Sequence, residues 1–167
     1  MGVVTRTGPS TPRLSPVHPE VPLARLFAIA YRHLVVGLHE RLVARGWRDV
    51  RPPYGYVLLA CRDAQTTSGE IATLLGVSKQ AASKLVDGMV AASLVRRTTS
   101  REDSRAKLVA LTPRGRRLLA VVEEIYDELE AEWAAVVGRP TVAAVRDGLV
   151  TVLTSAYGGV LPPVRPV

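Results

Sequence analysis

TSGEIATLLGVSKQAASKLVDGMV, residues Thr67 to Val90, reads as two short helices joined by a tight turn. The Thr67 hydroxyl can cap backbone amides at a helix start, and Glu70, three residues on, can reach back toward the Thr67 amide. The helix so started runs to Leu75 and stops at Gly76, and Ser78 can cap the next one two residues later. Two short helices around a glycine-containing turn form a helix-turn-helix. In the second of them Ala82, Leu85, Val86, Met89 and Val90 share an apolar face, and Lys79, Gln80, Ser83, Lys84 and Asp87 occupy the other.

Downstream, Leu94 to Thr98 and Lys107 to Leu111 read as two strands around the polar stretch Thr99 to Ser104, which makes a wing. Pro113 opens a long helix, apolar at Leu118, Leu119, Val122, Ile125, Leu129 and Trp133 and broken at Gly138 to Pro140. A last helix spans about Thr141 to Tyr157. Upstream, Leu23, Leu26, Phe27, Ala30, Leu34, Leu38 and Leu42 recur at three- and four-residue steps, a long amphipathic helix with a stop at Gly46. Pro52 and Pro53 suit the first turn of a further helix that reaches about Arg62. Pro9, Pro12, Pro16 and Pro19 exclude a helix from residues 1–20, which read as a disordered arm. The expected fold is mainly α with a small β-hairpin wing. It comprises a domain over residues 21–157, with the winged helix-turn-helix at 52–112, flanking helices at 22–46 and 113–157, and a tail at 158–167.

A chain of 167 residues, 47% hydrophobic, suits one well-buried core. No apolar run approaches the roughly 20 residues of a membrane span, and Met1 to Ser10 opens no signal-peptide core, so the expected location is cytoplasmic, without a membrane partner. The net charge of +7 suits a polyanion, which by charge alone could be nucleic acid or an acidic membrane surface. Its distribution is uneven: residues 1–61 carry eight Arg against three acids, 62–112 eight Lys or Arg against five, and 113–167 six against seven. The acids Glu123, Glu124, Asp127, Glu128, Glu130 and Glu132 set the last third apart from phosphates. No metal-spaced His and Cys cluster, phosphate loop or nucleophile motif is present, so no enzyme, catalytic residue, metal or cofactor is expected. The single cysteine, Cys61, excludes an internal disulfide and leaves a structural thiol or a redox sensor.

A helix of about 14 residues, roughly 21 Å long, fits the major groove. Lys79, Gln80, Ser83 and Lys84, with the cap Ser78, lie along its outward side. Gln pairs bidentately with adenine, Lys reaches guanine O6 and N7 or a phosphate, and Ser bonds base edges or backbone. A solvated polar face is the alternative reading of these residues. In the wing Arg101 and Arg105, with Lys107 beside them, are long enough for a minor groove or its flanking phosphates. A carboxylate facing DNA is repelled, so Asp103 is expected to turn inward and brace the loop against backbone amides or Arg105.

Thr67-x-x-Glu70-Ile71-Ala72, Leu75-Gly76-Val77-Ser78-Lys79-Gln80-Ala81, Leu85-Val86-Asp87, Asp103-x-Arg105-Ala106-Lys107-Leu108-Val109 and Leu111-Thr112-Pro113-x-Gly115 together resemble the MarR (multiple antibiotic resistance regulator) family. The resemblance covers about residues 23–157, and its specific part is the Asp-x-Arg wing followed by Leu-Thr-Pro-x-Gly. Four positions depart from the pattern: Gly88 within the recognition helix, Ser93 in place of glycine at its end, Ser104 in place of a second wing arginine, and Arg51 in place of a capping Thr or Ser.

The resemblance implies a homodimer with interlocked terminal helices, binding double-stranded DNA at a pseudo-palindromic operator and acting by default as a repressor. The long apolar stripes of the flanking helices also call for a partner copy. It further implies a small, often aromatic and anionic, effector in a cleft beside the DNA-binding lobe. His33, His39, Arg48, Tyr54 and Tyr56 are the candidates to line it, each with an ordinary surface, interface or core role as the alternative. Cys61 lies near the end of the second helix, whereas the peroxide-sensing cysteine of some relatives sits near the start of the first. A redox-responsive regulator through Cys61 is therefore one alternative, and a winged-helix protein-interaction module without DNA binding is another. The basic set Lys79, Lys84, Arg101, Arg105 and Lys107 favours DNA over the latter.

Overall fold

A computed structural model describes residues 21–99 and 107–163. Six helices and three strands follow in the order α1 (Leu23–Ala44), α2 (Pro52–Ala60), β1 (Thr66–Thr67), α3 (Ser68–Leu75), α4 (Lys79–Ala91), β2 (Val95–Thr99), β3 (Lys107–Leu111), α5 (Pro113–Val137) and α6 (Arg139–Ala156). The strands form one antiparallel sheet in the order β1-β3-β2. In it Val95 pairs with Leu111 and Thr99 with Lys107, and the short β1 sets Thr66 against Val109. The mainly helical fold with a hairpin wing is therefore the one the sequence calls for. The proposed arm at 1–20 lies outside the described residues.

By contacts the chain divides into two units, residues 1–33 and 34–167. The described part of the first is the start of α1, where Leu23, Leu26, Phe27 and Ile29 are exposed. In the second, Leu42, Val57, Leu58, Ile71, Val86, Met89, Val95, Val109, Leu118, Ile125 and Leu129 are almost wholly buried and form one cluster. Helices α1 to α5 and strands β2 and β3 thus contribute apolar residues to a shared core, the main stabilising term.

Local chemistry sets the boundaries. Pro52 and Pro53 start α2 with no side-chain cap at Arg51, as the missing cap residue implies. The helix ends at Ala60, slightly short of the Arg62 that the sequence suggested. Thr112 Oγ1 accepts from the Gly115 amide at 3.0 Å, and Pro113 follows it at the start of α5. The end of α4 is a Schellman turn: the Ser93 amide donates to Val90 O at 2.8 Å and the Leu94 amide to Met89 O at 2.9 Å. That turn puts Ser93 at φ 57°, the left-handed region where glycine is the usual occupant.

The acids of α5 have partners that the sequence did not reveal. Arg41 pairs with Glu128 and Glu132, Arg45 with Glu124 and Glu128, and Arg62 with Glu123. Two of the eight arginines before residue 62, Arg41 and Arg45, are therefore neutralised locally, as is Arg62. These half-exposed pairs add little stability, but they redraw the charge map.

Candidate nucleic-acid interface

The recognition unit rests on two capped helix starts. Thr67 Oγ1 accepts from the Glu70 amide at 3.1 Å, and the Glu70 carboxylate accepts from the Thr67 amide at 2.7 Å and from the Thr66 and Thr67 hydroxyls at 3.0 Å each. The Thr67 amide, followed by the two hydroxyls, holds the Glu70 carboxyl below the usual carboxylate range. Gly76 ends α3 at φ 65°, and the Val77 amide donates to Ala72 O at 3.1 Å. Ser78 Oγ then accepts from the Ala81 amide at 3.2 Å and starts α4.

With 13 residues, α4 is about 20 Å long. Ala82, Val86 and Met89 are buried, which leaves Lys79, Gln80 and Lys84 exposed and Ser83 half-buried at the edge of the same side. Lys107 is exposed at the start of β3, opposite Thr99. Arg101, Asp103 and Arg105 lie outside the described residues. Of the residues expected on DNA, Lys79, Gln80, Ser83 and Lys84 thus share one helix, and Ser78 caps it.

Sequence reading missed Arg97. From β2 its guanidinium pairs with Asp87 Oδ1 and donates through Nη2 to Ser83 Oγ at 3.2 Å and to Ser83 O at 3.3 Å. The available signal was an acid and a serine four residues apart on one helix with an arginine in the strand that follows, a common pattern that names no partners.

Arg48 and Tyr54 come together in a cleft of about 410 Å³ with Arg51, Gly88 and Ala92. Tyr54 is 4% exposed, and its hydroxyl oxygen lies 3.0 Å from where a Cβ on Gly88 would stand. The unexpected glycine in the recognition helix therefore has a steric reason: a Cβ there would crowd the tyrosine hydroxyl, which would have to give by a few tenths of an ångström. His39 and Tyr56 are half-buried, and neither lines this cleft. His33 is exposed and belongs to the other unit.

Cys61 is 4% exposed, its Sγ is 3.7 Å from Val109 O, and burial pushes its thiol up to about 11. A neutral buried thiol is a poor nucleophile toward peroxide, which weighs against the redox reading. Among the described residues no group of three His, Cys, Asp or Glu is placed to hold a metal, and no helix is long and apolar enough to cross a membrane.

The MarR family model matches residues 48–106, from within the α1–α2 loop to the residue before β3. No curated protein sequence matches the chain. Among solved structures it is similar to wild-type MarR from E. coli (25% identity, TM-score 0.68), the match covering 81% of this chain and 99% of that one. It is similar to RV1404 from Mycobacterium tuberculosis (26% identity, TM-score 0.68, 84% and 93% covered). A third likeness is to the MepR F27L mutant of S. aureus bound to an oligodeoxyribonucleotide (21% identity, TM-score 0.58, 82% and 99% covered). The MarR family match is confined to residues 48–106, and the structural likenesses, which cover more than four fifths of the chain, show a winged-helix fold similar to that of MarR-family structures.

Proposed function

We propose that the protein is a sequence-specific, double-stranded DNA-binding transcriptional regulator that acts as a homodimer on a pseudo-palindromic operator and represses by occupying it. The observation that carries this reading is the outward side of α4. Lys79, Gln80 and Lys84 stand exposed on a helix anchored at its start by Ser78 and along its length by Ala82, Val86 and Met89. A groove-reading helix needs that combination of rigid seating and free polar ends. Arg101, Arg105 and Lys107 extend the contact through the wing, with Asp103 as the internal brace.

The dimer is supported by α6, which has no buried residue although Val145, Leu149, Val150, Val152 and Leu153 lie on it. An apolar surface of that extent on an 18-residue helix calls for a second copy. Two recognition helices then read major grooves about one helical turn, roughly 34 Å, apart. The domain divisions at 52–112, 22–46 and 113–157 follow as reading unit and dimerisation helices.

Relief of binding by a small aromatic or anionic molecule is assigned to the cleft of Arg48, Arg51 and Tyr54. Occupancy there bears on Gly88 and hence on α4, and it weakens DNA binding only if the molecule prefers a dimer whose recognition helices are misplaced for DNA. Selection of bound sequences from genomic fragments tests the whole reading. Two related half-sites centred about 10 base pairs apart are expected, with enrichment reduced by aromatic acids. Absence of any enriched sequence at low salt refutes it.

A further inference from the structure

We infer that Arg97 is a specificity-determining positioning residue: by donating to Ser83 it fixes the Ser83 hydroxyl as a hydrogen-bond donor toward DNA, so that α4 selects a base presenting an acceptor at that point. The inference rests on the reading of α4 as the groove-facing helix.

Strand alternation puts Val95, Arg97 and Thr99 on one side of β2, and Val95 is buried in the core beside α4. Ser83 and Asp87 are one helical turn apart on α4 and so form neighbouring steps of one stripe. A planar guanidinium with several fixed donors spans such a pair, engaging the carboxylate through Nη1 and the serine through Nη2. A lysine, a single point of charge on a flexible stem, cannot hold both in register.

A serine hydroxyl has one proton and two lone pairs. At Ser83 one lone pair accepts from the guanidinium at 3.2 Å, and among the described residues the hydroxyl has no acceptor of its own. The proton is therefore available, and accepting from a cation strengthens it as a donor. Guanine O6 and N7, adenine N7 and thymine O4 satisfy the hydroxyl, whereas the cytosine N4 amino group does not. Asp87 in turn holds the guanidinium and compensates its charge, which keeps Arg97 on the protein and away from a phosphate.

The test is selection of bound duplexes by the full-length wild type, Ser83→Ala, Arg97→Gln and Arg97→Lys, with circular dichroism and thermal unfolding run on each. The wild type should prefer acceptor-bearing bases at one position of each half-site by about three- to tenfold, the worth of a single hydrogen bond. Ser83→Ala and Arg97→Gln should each flatten the preference at that same position and leave the rest of the motif intact. Arg97→Lys should also flatten it, since retained charge does not restore the fork. If Arg97→Gln lowers affinity evenly with the preference unchanged, if Arg97→Lys restores the preference, or if Ser83→Ala leaves it intact, the inference is overturned. A wild type that selects no sequence overturns the DNA-binding reading itself and the inference with it. Should Arg97→Gln fail to fold, Ser83→Ala and Arg97→Lys still decide.

Discussion

Replacing Gly115 by alanine should break the junction between the recognition unit and α5. Gly115 is buried in the first turn of α5, and a Cβ there would stand 2.0 Å from the carbonyl oxygen of Leu94. Real carbon–oxygen contacts need about 3 Å or more, so backbone must separate by about 1 Å. That carbonyl accepts from the Thr112 amide at 3.1 Å and the Thr112 hydroxyl at 3.0 Å, and the shift would break both bonds. Each is worth about 1 kcal/mol, and forced backbone movement adds about 1–3 kcal/mol. The better helix propensity of alanine returns only about 1 kcal/mol. The expected net loss is about 3 kcal/mol, a fall in Tm of about 6–12 °C for a chain of this size. Urea and thermal unfolding at fixed protein concentration would measure it, which holds constant any contribution from the proposed dimer. A Gly115→Ala protein as stable as wild type, within about 0.5 kcal/mol, would refute the reasoning. The same contact gives Leu-Thr-Pro-x-Gly a physical meaning: Thr caps α5 and bonds the turn after α4, Pro starts α5, and Gly lets the two backbones touch.

Ser93→Gly should stabilise the protein by about 0.5–1 kcal/mol in denaturant unfolding, since it removes a side chain from φ 57° and keeps the Schellman bonds. Gly88→Ala gains helix propensity but meets the Tyr54 hydroxyl at 3.0 Å. In the Tyr54→Phe background it should therefore be more favourable by about 1 kcal/mol than in wild type, a coupling read from a double-mutant cycle. The Cys61 thiol, pushed up to about 11 by burial, should resist alkylation at pH 8 until the chain unfolds; its raised folded pKa also means that stability falls as pH rises from 9 toward 11, where the unfolded thiol ionises first. Rapid native-state alkylation would contradict that placement.

The parts of this fold readable in sequence are those governed by neighbours in the chain. Thr67 with Glu70, Gly76 and Ser78 mark helix ends through bonds spanning three or four residues and Pro113 marks one through its fixed backbone angle, and these determine where α3, α4 and α5 begin. What escaped is set by distant partners. β1 has only two polar residues and no periodicity, and it is a strand only because Val109 and Leu108 lie beside it. Arg41 and Arg45 look like free cations until α5 brings Glu124, Glu128 and Glu132 against them. Gly88 reads as a weak point in a helix, and only the Tyr54 hydroxyl beside it explains it. For the interface, composition and periodicity identified the exposed α4 residues, whereas the Arg97 fork depends on how β2 crosses the helix.

The central claim is that the exposed side of α4 reads DNA sequence, and equilibrium binding tests it most directly. Titration of one purified preparation against its selected duplex and a scrambled duplex, at about 0.15 M salt, should give at least about a thousandfold preference for the selected one. Both affinities should fall steeply as salt rises. Equal affinity for the two duplexes, or no binding to either at low salt, would contradict the account.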